Sequence, residues 1–409
     1  MDAPHPLITT IGLGLLYALV CGSLAALARL PPIVGYLIAG ILLGPYTPGI
    51  VGDQGTALEL AELGVILLMF GVGLHFSPAE LLSVRRVALP GAVAQMSVAT
   101  VLGALLARQW DYSWPQAVVF GLALSVASTV VLLRALADRD EMNSPAGRIA
   151  VGWLVVEDLA VILVLVMLPA VAGLFGGAPA GLAGGRFGDA GALTAIGIAL
   201  GKVALFVSLA VPVGRRVIPW ILVMIAHLRS RELFTLAVLA LSVGIAYLSA
   251  KVFGVSFALG AFFAGMVMHG SGMAARAAEQ SLPFRDAFAV LFFVAVGMMF
   301  DPMVLVERPG AVLATIGVVV IGKSLAAAAI MLMLRQGFAA TATVTAALAQ
   351  IGEFSLLLAE QGISLGILPE QARNPILATV VCSIALNPVA FWLAGKFKKK
   401  REEKAVARR

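Results

Sequence analysis

The chain has 409 residues, 61 % hydrophobic and only 12 % charged, with a mean hydropathy of +1.01. Soluble proteins carry about 25 % charged residues, so this composition excludes a soluble domain and points to a polytopic membrane protein. The net charge of +6 sits in loops and tail rather than in an aromatic-studded stripe, which argues against nucleic-acid binding.

Thirteen apolar runs bounded by Gly, Pro or charge are expected to span the bilayer. They cover about 7–28, 33–50, 60–76, 87–107, 116–136, 147–170, 191–214, 233–250, 252–270, 284–301, 310–334, 339–361 and 375–395. Val217–Leu228 is apolar but short and reads as a connector in the interface. Gly173–Gly191 reads as a Gly/Ala/Pro-rich loop. No Lys or Arg occurs in the first 28 residues, so no cleavable signal peptide is expected. Cys21 and Cys382 lie in apolar runs and suggest neither a disulfide framework nor a zinc site.

An odd number of spans puts the termini on opposite sides. Thirteen arginines between Arg29 and Arg335, with the eight basic residues from Lys396 onward, share one side; Arg108, Arg186, Lys251, Arg308 and Arg373 share the other. The positive-inside rule then places the C-terminus in the cytoplasm and the N-terminus outside, in the cell's inner membrane.

The sixth span carries two adjacent acids, Glu157 and Asp158. Asp158 lies ten residues after Arg148, which at about 1.5 Å per residue is some 15 Å into a hydrocarbon layer about 30 Å thick. An ionised group there costs several kcal/mol, and intramembrane acids usually mark an ion or proton path. The alternative is an acid that is protonated, or hydrogen-bonded between packed helices.

An internal repeat runs through the sequence. Val72-Gly-Leu-His-Phe-Ser-Pro78 matches Val296-Gly-Met-Met-Phe-Asp-Pro302 at an offset of 224, and Ile38-Ala-Gly40 meets Phe263-Ala-Gly265 at 225. That offset crosses seven spans, so the halves are expected in opposite orientations, as in secondary transporters built from inverted repeats. It also pairs Ser128 and Thr129, in a polar patch of span five, with Gly352 and Glu353 in span twelve. Both places are expected to unwind, giving two broken helices whose free backbone ends face one spot. Ser128, Thr129, Gln350 and Glu353 would help satisfy them. Asp158 maps to Cys382, so the acidic pair has no twin. Lys323 is deep in span eleven and needs a carboxylate partner, Glu157 preferred over Glu353, or must lose its proton. Lys202 lies near a span end, where it can snorkel, and Gln95 of span four is polar enough to line the same cavity.

Val155-Val-Glu-Asp-Leu-Ala-Val161, Ser128-Thr129, Gly322-Lys323, Gln350-Ile-Gly-Glu-Phe354 and Pro32-Ile-Val-Gly-Tyr-Leu-Ile-Ala-Gly-Ile-Leu-Leu-Gly-Pro45 together resemble cation:proton antiporter family 2. Within it the chain is most similar to the Kef-type potassium–proton antiporters. The resemblance implies an all-α sodium/proton antiporter-like fold of two inverted six-helix repeats, working as a homodimer in the bilayer without a cofactor. A core (about 87–170 and 310–395) holding the crossed broken helices would move, elevator-fashion, against dimerisation helices (about 7–76 and 191–301). Asp158 would bind K⁺ or Na⁺ and H⁺ alternately. Two departures stand out. Kef-type proteins have Gln before the aspartate, where this chain has Glu157. They also usually continue into a cytosolic nucleotide-binding domain, whereas residues 396–409 here are a short basic tail without a G-x-G-x-x-G string. Either nucleotide gating is absent, or the chain stops at the linker. A cation channel and a membrane-embedded enzyme are the other classes considered. No TVGYG-like filter, H-E-x-x-H or G-x-S-x-G string supports them.

Overall fold

The computed structural model of the chain describes residues 6–28, 30–49, 51–75, 78–137, 139–142, 144–172, 191–253, 257–269 and 272–406. Regular structure among these residues is all helical. The first half contains α1 (Pro6–Leu27), α2 (Pro32–Leu43), α3 (Gln54–His75), α4 (Pro78–Arg108), α5 (Trp114–Ser125), α6 (Thr129–Ala137) and α7 (Pro145–Val171). The second contains α8 (Gly191–His227), α9 (Arg231–Leu248), α10 (Phe257–His269), α11 (Ala274–Met298), the single turn α12 (Val304–Glu307) and α13 (Pro309–Ile316). A π-helical segment, Gly317–Lys323, leads into α14 (Ser324–Met333), then α15 (Phe338–Leu348), α16 (Glu353–Ser364) and α17 (Arg373–Val406).

Local chemistry sets several of these boundaries. Ser113 and Gln116 form a reciprocal capping box ahead of α5, with Pro115 in its first turn. Ser144 Oγ accepts the Gly147 N–H at 2.9 Å to start α7, and Pro145 supplies the fixed φ of the first helical position.

Among the described residues, six helices are long and apolar enough to cross a membrane, or seven if α15 and α16, bent by 42°, count as one. This is fewer than the thirteen runs in the sequence, in part because several runs fold as pieces; α3, α7 and α8, of 22, 27 and 37 residues, are long but not among the six. Pro32–Leu43 and Trp114–Ser125 are apolar but only 12 residues long. A second difference concerns Val217–Leu228, which forms no separate connector. It continues the 37-residue α8, whose internal Pro212 and Pro219 do not end the helix. The Gly173–Gly191 loop lies outside the described residues up to Gly191, as do Arg29, Phe76, Ser77 and residues 407–409; the side chain of Lys202 also lies outside them.

Packing falls into two sets. In one, α3 lies against α10 and α11, α2 against α1 and α11, and α9 against α10. In the other, α4 lies against α5 and α7, α15 against α7, α14 and α17, and α16 against α5. Small residues permit the closest approaches. A Cβ on Gly40 would come 2.7 Å from Gly297 Cα, and one on Gly265 would come 3.0 Å from the Gly73 carbonyl carbon. Adding about 225 to Gly40 gives Gly265, and adding 224 to Gly73 gives Gly297, so one contact is the other with its partners exchanged. A third instance is Gly35 against Cys21 and Gly22, matched by Gly260 against Ala246.

Candidate ion-binding site

Both polar patches interrupt their helices. Val126–Ser128 separates α5 from α6, and Ala349–Gly352 separates α15 from α16. The breaks lie against each other through a two-way amide contact. Ser128 N–H donates to Gln350 Oε1 at 2.9 Å, and Gln350 Nε2 donates back to Ser128 O at 3.1 Å. Ser128 Oγ donates to Glu353 Oε2 at 3.1 Å, and Ser355 Oγ reaches Val126 O. Gly352 makes room for this. A Cβ there would lie 2.4 Å from Ser128 Cα, so only glycine fits.

Unwinding strands backbone groups in the interior, where each must find a partner. At the first break, Gln95 Nε2 of α4 donates to Ser125 O at 3.1 Å, while Ala127 N–H donates to Glu157 Oε2 at 2.8 Å. At the second, Lys323 Nζ donates to Gln350 O at 3.2 Å, while Ile351 N–H donates to Ser383 Oγ at 3.3 Å. Ala127 and Ile351 are themselves 224 apart. The two breaks are therefore capped alike but by different groups. The first uses an amide and a carboxyl group, the second a lysine amine and a hydroxyl, so each stranded carbonyl meets a donor and each stranded N–H an acceptor.

Asp158 projects from α7 to the start of α6, where Thr129 Oγ1 donates to its Oδ2 at 2.8 Å. Asp158 Oδ1, Glu157 Oε1 and Glu353 Oε1 are all buried without a hydrogen-bond partner. A carboxyl oxygen so placed is unstable until a proton or a cation joins it. Among the described residues no three His, Cys, Asp or Glu side chains converge as a chelate. A cation at Asp158 would therefore draw its other ligands from hydroxyls, backbone carbonyls or water.

Lys323 meets the expectation in part. Glu157 is the carboxylate that interacts with it electrostatically, but without an ion-pair contact, and Nζ caps the Gln350 carbonyl. Lys323 is the last residue of the π-helical segment Gly317–Lys323, a departure from 3.6-residue periodicity. Three contributors were not foreseen. Trp153, one turn before Glu157, donates Nε1 to Gln95 Oε1 at 3.2 Å and so braces the cap on Ser125. Ser383 and Asn387 of α17 hold Ile351 N–H and Ala346 O. With Thr379 they recur every four residues as a buried polar stripe in an apolar helix, a signal the sequence carried.

Residues 15–392 match the sodium/hydrogen exchanger transmembrane family. The chain belongs to that family. It is 52 % identical over 402 residues to the Escherichia coli protein YbaL, whose name assigns it cation/proton antiport provisionally, covering 98 % of this chain and 71 % of that one. It is 32 % identical over 376 residues to K(+) efflux antiporter 4 of Arabidopsis thaliana, covering 91 % of this chain and 61 % of that one. The fold is similar to the solved sodium proton antiporter MjNhaP1 of Methanocaldococcus jannaschii, with a TM-score of 0.72 over 95 % of this chain and 98 % of that one at 16 % identity. These names fall in the group that the motifs resemble, and membership places the chain among transporters rather than enzymes.

Proposed function

We propose that this chain exchanges a monovalent cation, K⁺ before Na⁺, for a proton across the inner membrane, with Asp158 holding the two in competition. One observation carries the reading. Asp158 is a buried carboxylate with one oxygen on Thr129 and the other free, placed where two interrupted helices meet. Ionised Asp158, with Thr129, Ser128 and nearby carbonyls, replaces part of the cation's hydration shell; protonated Asp158 releases the cation. Only the loaded forms cross readily, because an unpaired buried carboxylate costs several kcal/mol. That cost is what makes the exchange obligatory. Names of relatives that export K⁺ or exchange cations for protons support the assignment.

The proposed architecture is thirteen spans in two inverted repeats, with the broken helices crossing on the pseudo-two-fold axis. Exchanged glycine contacts support an axis, and the contact of Ser128 with its own equivalent, Gly352, supports one that runs through the site. The two packing sets correspond to a core (about 87–170 and 310–395) that moves as an elevator against dimerisation helices (about 7–76 and 191–301) in a homodimer. The distribution of basic residues supports a cytoplasmic C-terminus. A cytosolic nucleotide-binding partner or domain rests on the Kef-type resemblance alone.

The test is Asp158→Asn in proteoliposomes containing a pH dye, with K⁺ and Na⁺ added in turn. Wild type is expected to collapse an imposed proton gradient on cation addition, and the variant to leave it standing. Full cation-driven proton flux in Asp158→Asn would remove Asp158 from its role.

A further inference from the structure

Between the α1–α2 hairpin and the α6–α17 pair lies a cavity of about 430 Å³. One wall runs along the hairpin from Ala26 to Ile33. In the other, Val131 and Ala135 lie one turn apart on α6, and Arg139 follows in the turn beyond the helix end. Val131 of this wall lies one turn from the proposed site, its N–H donating to Ser128 Oγ at 3.3 Å. Asn387 lines the same space with its Nδ2 committed to Ala346 O.

Arg139 is the one charged residue among the described residues of this wall. It is held in place twice. Its Nη1 donates to Ala135 O at 2.8 Å, and its guanidinium carbon lies 4.2 Å over the Phe391 ring of α17. Ten residues separate it from Thr129, most of them in α6, which puts it on the order of 15 Å from that residue.

We propose that Arg139, at the mouth of this cavity on the face carrying the basic loops, sets the apparent cation affinity of the exchange. The inference rests on the exchange reading above. A fixed positive charge about 15 Å from a cation site disfavours occupancy by about two- to sixfold, for effective dielectric constants between 80 and 20. Salt weakens the effect, because the Debye length falls to about 8 Å at physiological ionic strength. An affinity held down in this way limits binding at low cation concentration and eases release on that face.

The experiment measures KM for K⁺ and maximal rate separately in proteoliposomes, at low and at physiological ionic strength. Arg139→Gln is expected to lower KM about two- to sixfold at low ionic strength, less at high, with the maximal rate unchanged. Arg139→Lys keeps the charge and is expected to keep the wild-type KM. A residue that only ties α6 to α17 predicts the reverse: a lower rate and lower thermal stability in both variants with KM unmoved. That result overturns the proposal. Independently, Ala135→Cys in a chain with Cys21 and Cys382 replaced by Ala is treated with membrane-impermeant thiol reagents. An anionic adduct is expected to lower KM and a cationic one to raise it; failure of either to react from the basic face overturns the proposal. Wild type without cation-driven proton flux sinks the exchange reading itself. Wild-type exchange with indifferent Arg139 and Ala135→Cys variants sinks only this inference.

Discussion

Gly352→Ala is the most direct probe of the contact between the breaks. Gly352 has φ −129° and ψ −161°, an extended conformation open to any residue, so alanine meets no backbone strain there. What it meets is Ser128. The new methyl would lie 2.4 Å from Ser128 Cα, 2.5 Å from its Cβ and 2.9 Å from its N, none of which can rotate away. The breaks must separate by about 1 Å to restore ordinary contact. Overpacking of this kind costs about 1–3 kcal/mol. Separation also loosens the two Ser128–Gln350 hydrogen bonds, each worth about 1 kcal/mol net. The expected total is about 3–5 kcal/mol, concentrated where the cation binds. Purified Gly352→Ala should show a lower unfolding temperature in detergent and little exchange in proteoliposomes. Gly317→Ala is the control, because nothing lies within 4 Å of the added methyl. A Gly352→Ala protein with wild-type stability and rate would refute the close crossing and the reasoning built on it.

Two further outcomes test the scaffold around the site. Gln95→Leu strips the cap from Ser125 O and the acceptor from Trp153 Nε1, leaving two buried polar groups at about 1–3 kcal/mol each. Thermal unfolding should report the loss and exchange should slow; an unchanged midpoint would show that water or another side chain fills in. Gly40→Ala and Gly265→Ala place a methyl 2.1 Å from Val294 O and 2.2 Å from Phe70 O. Being equivalent under the proposed two-fold, they should destabilise the purified protein by similar amounts, and a large, reproducible difference would count against that symmetry.

Much of the site could be read from residue type and spacing. Two carboxylates in mid-span are costly enough to stand out in any apolar run, and Ser-Thr or Gly-Glu within a membrane helix marks places where a helix can be interrupted. The repeat was legible too, since Gly40, Gly73, Gly265 and Gly297 sit where backbones approach too closely for a side chain. Partner choice was not. Lys323 was expected to pair with Glu157, yet it reaches Glu157 only at longer range while its Nζ sits on the Gln350 carbonyl. Ser383 and Asn387 were not singled out, because their targets, Ile351 N–H and Ala346 O, need partners only once α15 and α16 part.

By itself the sequence determined that this is a membrane protein with a repeated plan, an acid at depth and two weak points in its helices. Those properties depend on transfer cost and local backbone chemistry, which act residue by residue. Only the tertiary structure decided which group satisfies which stranded donor or acceptor. Those bonds join residues as far apart as Ser128 and Gln350, and their geometry follows from helix direction and close packing rather than from any nearby stretch of chain.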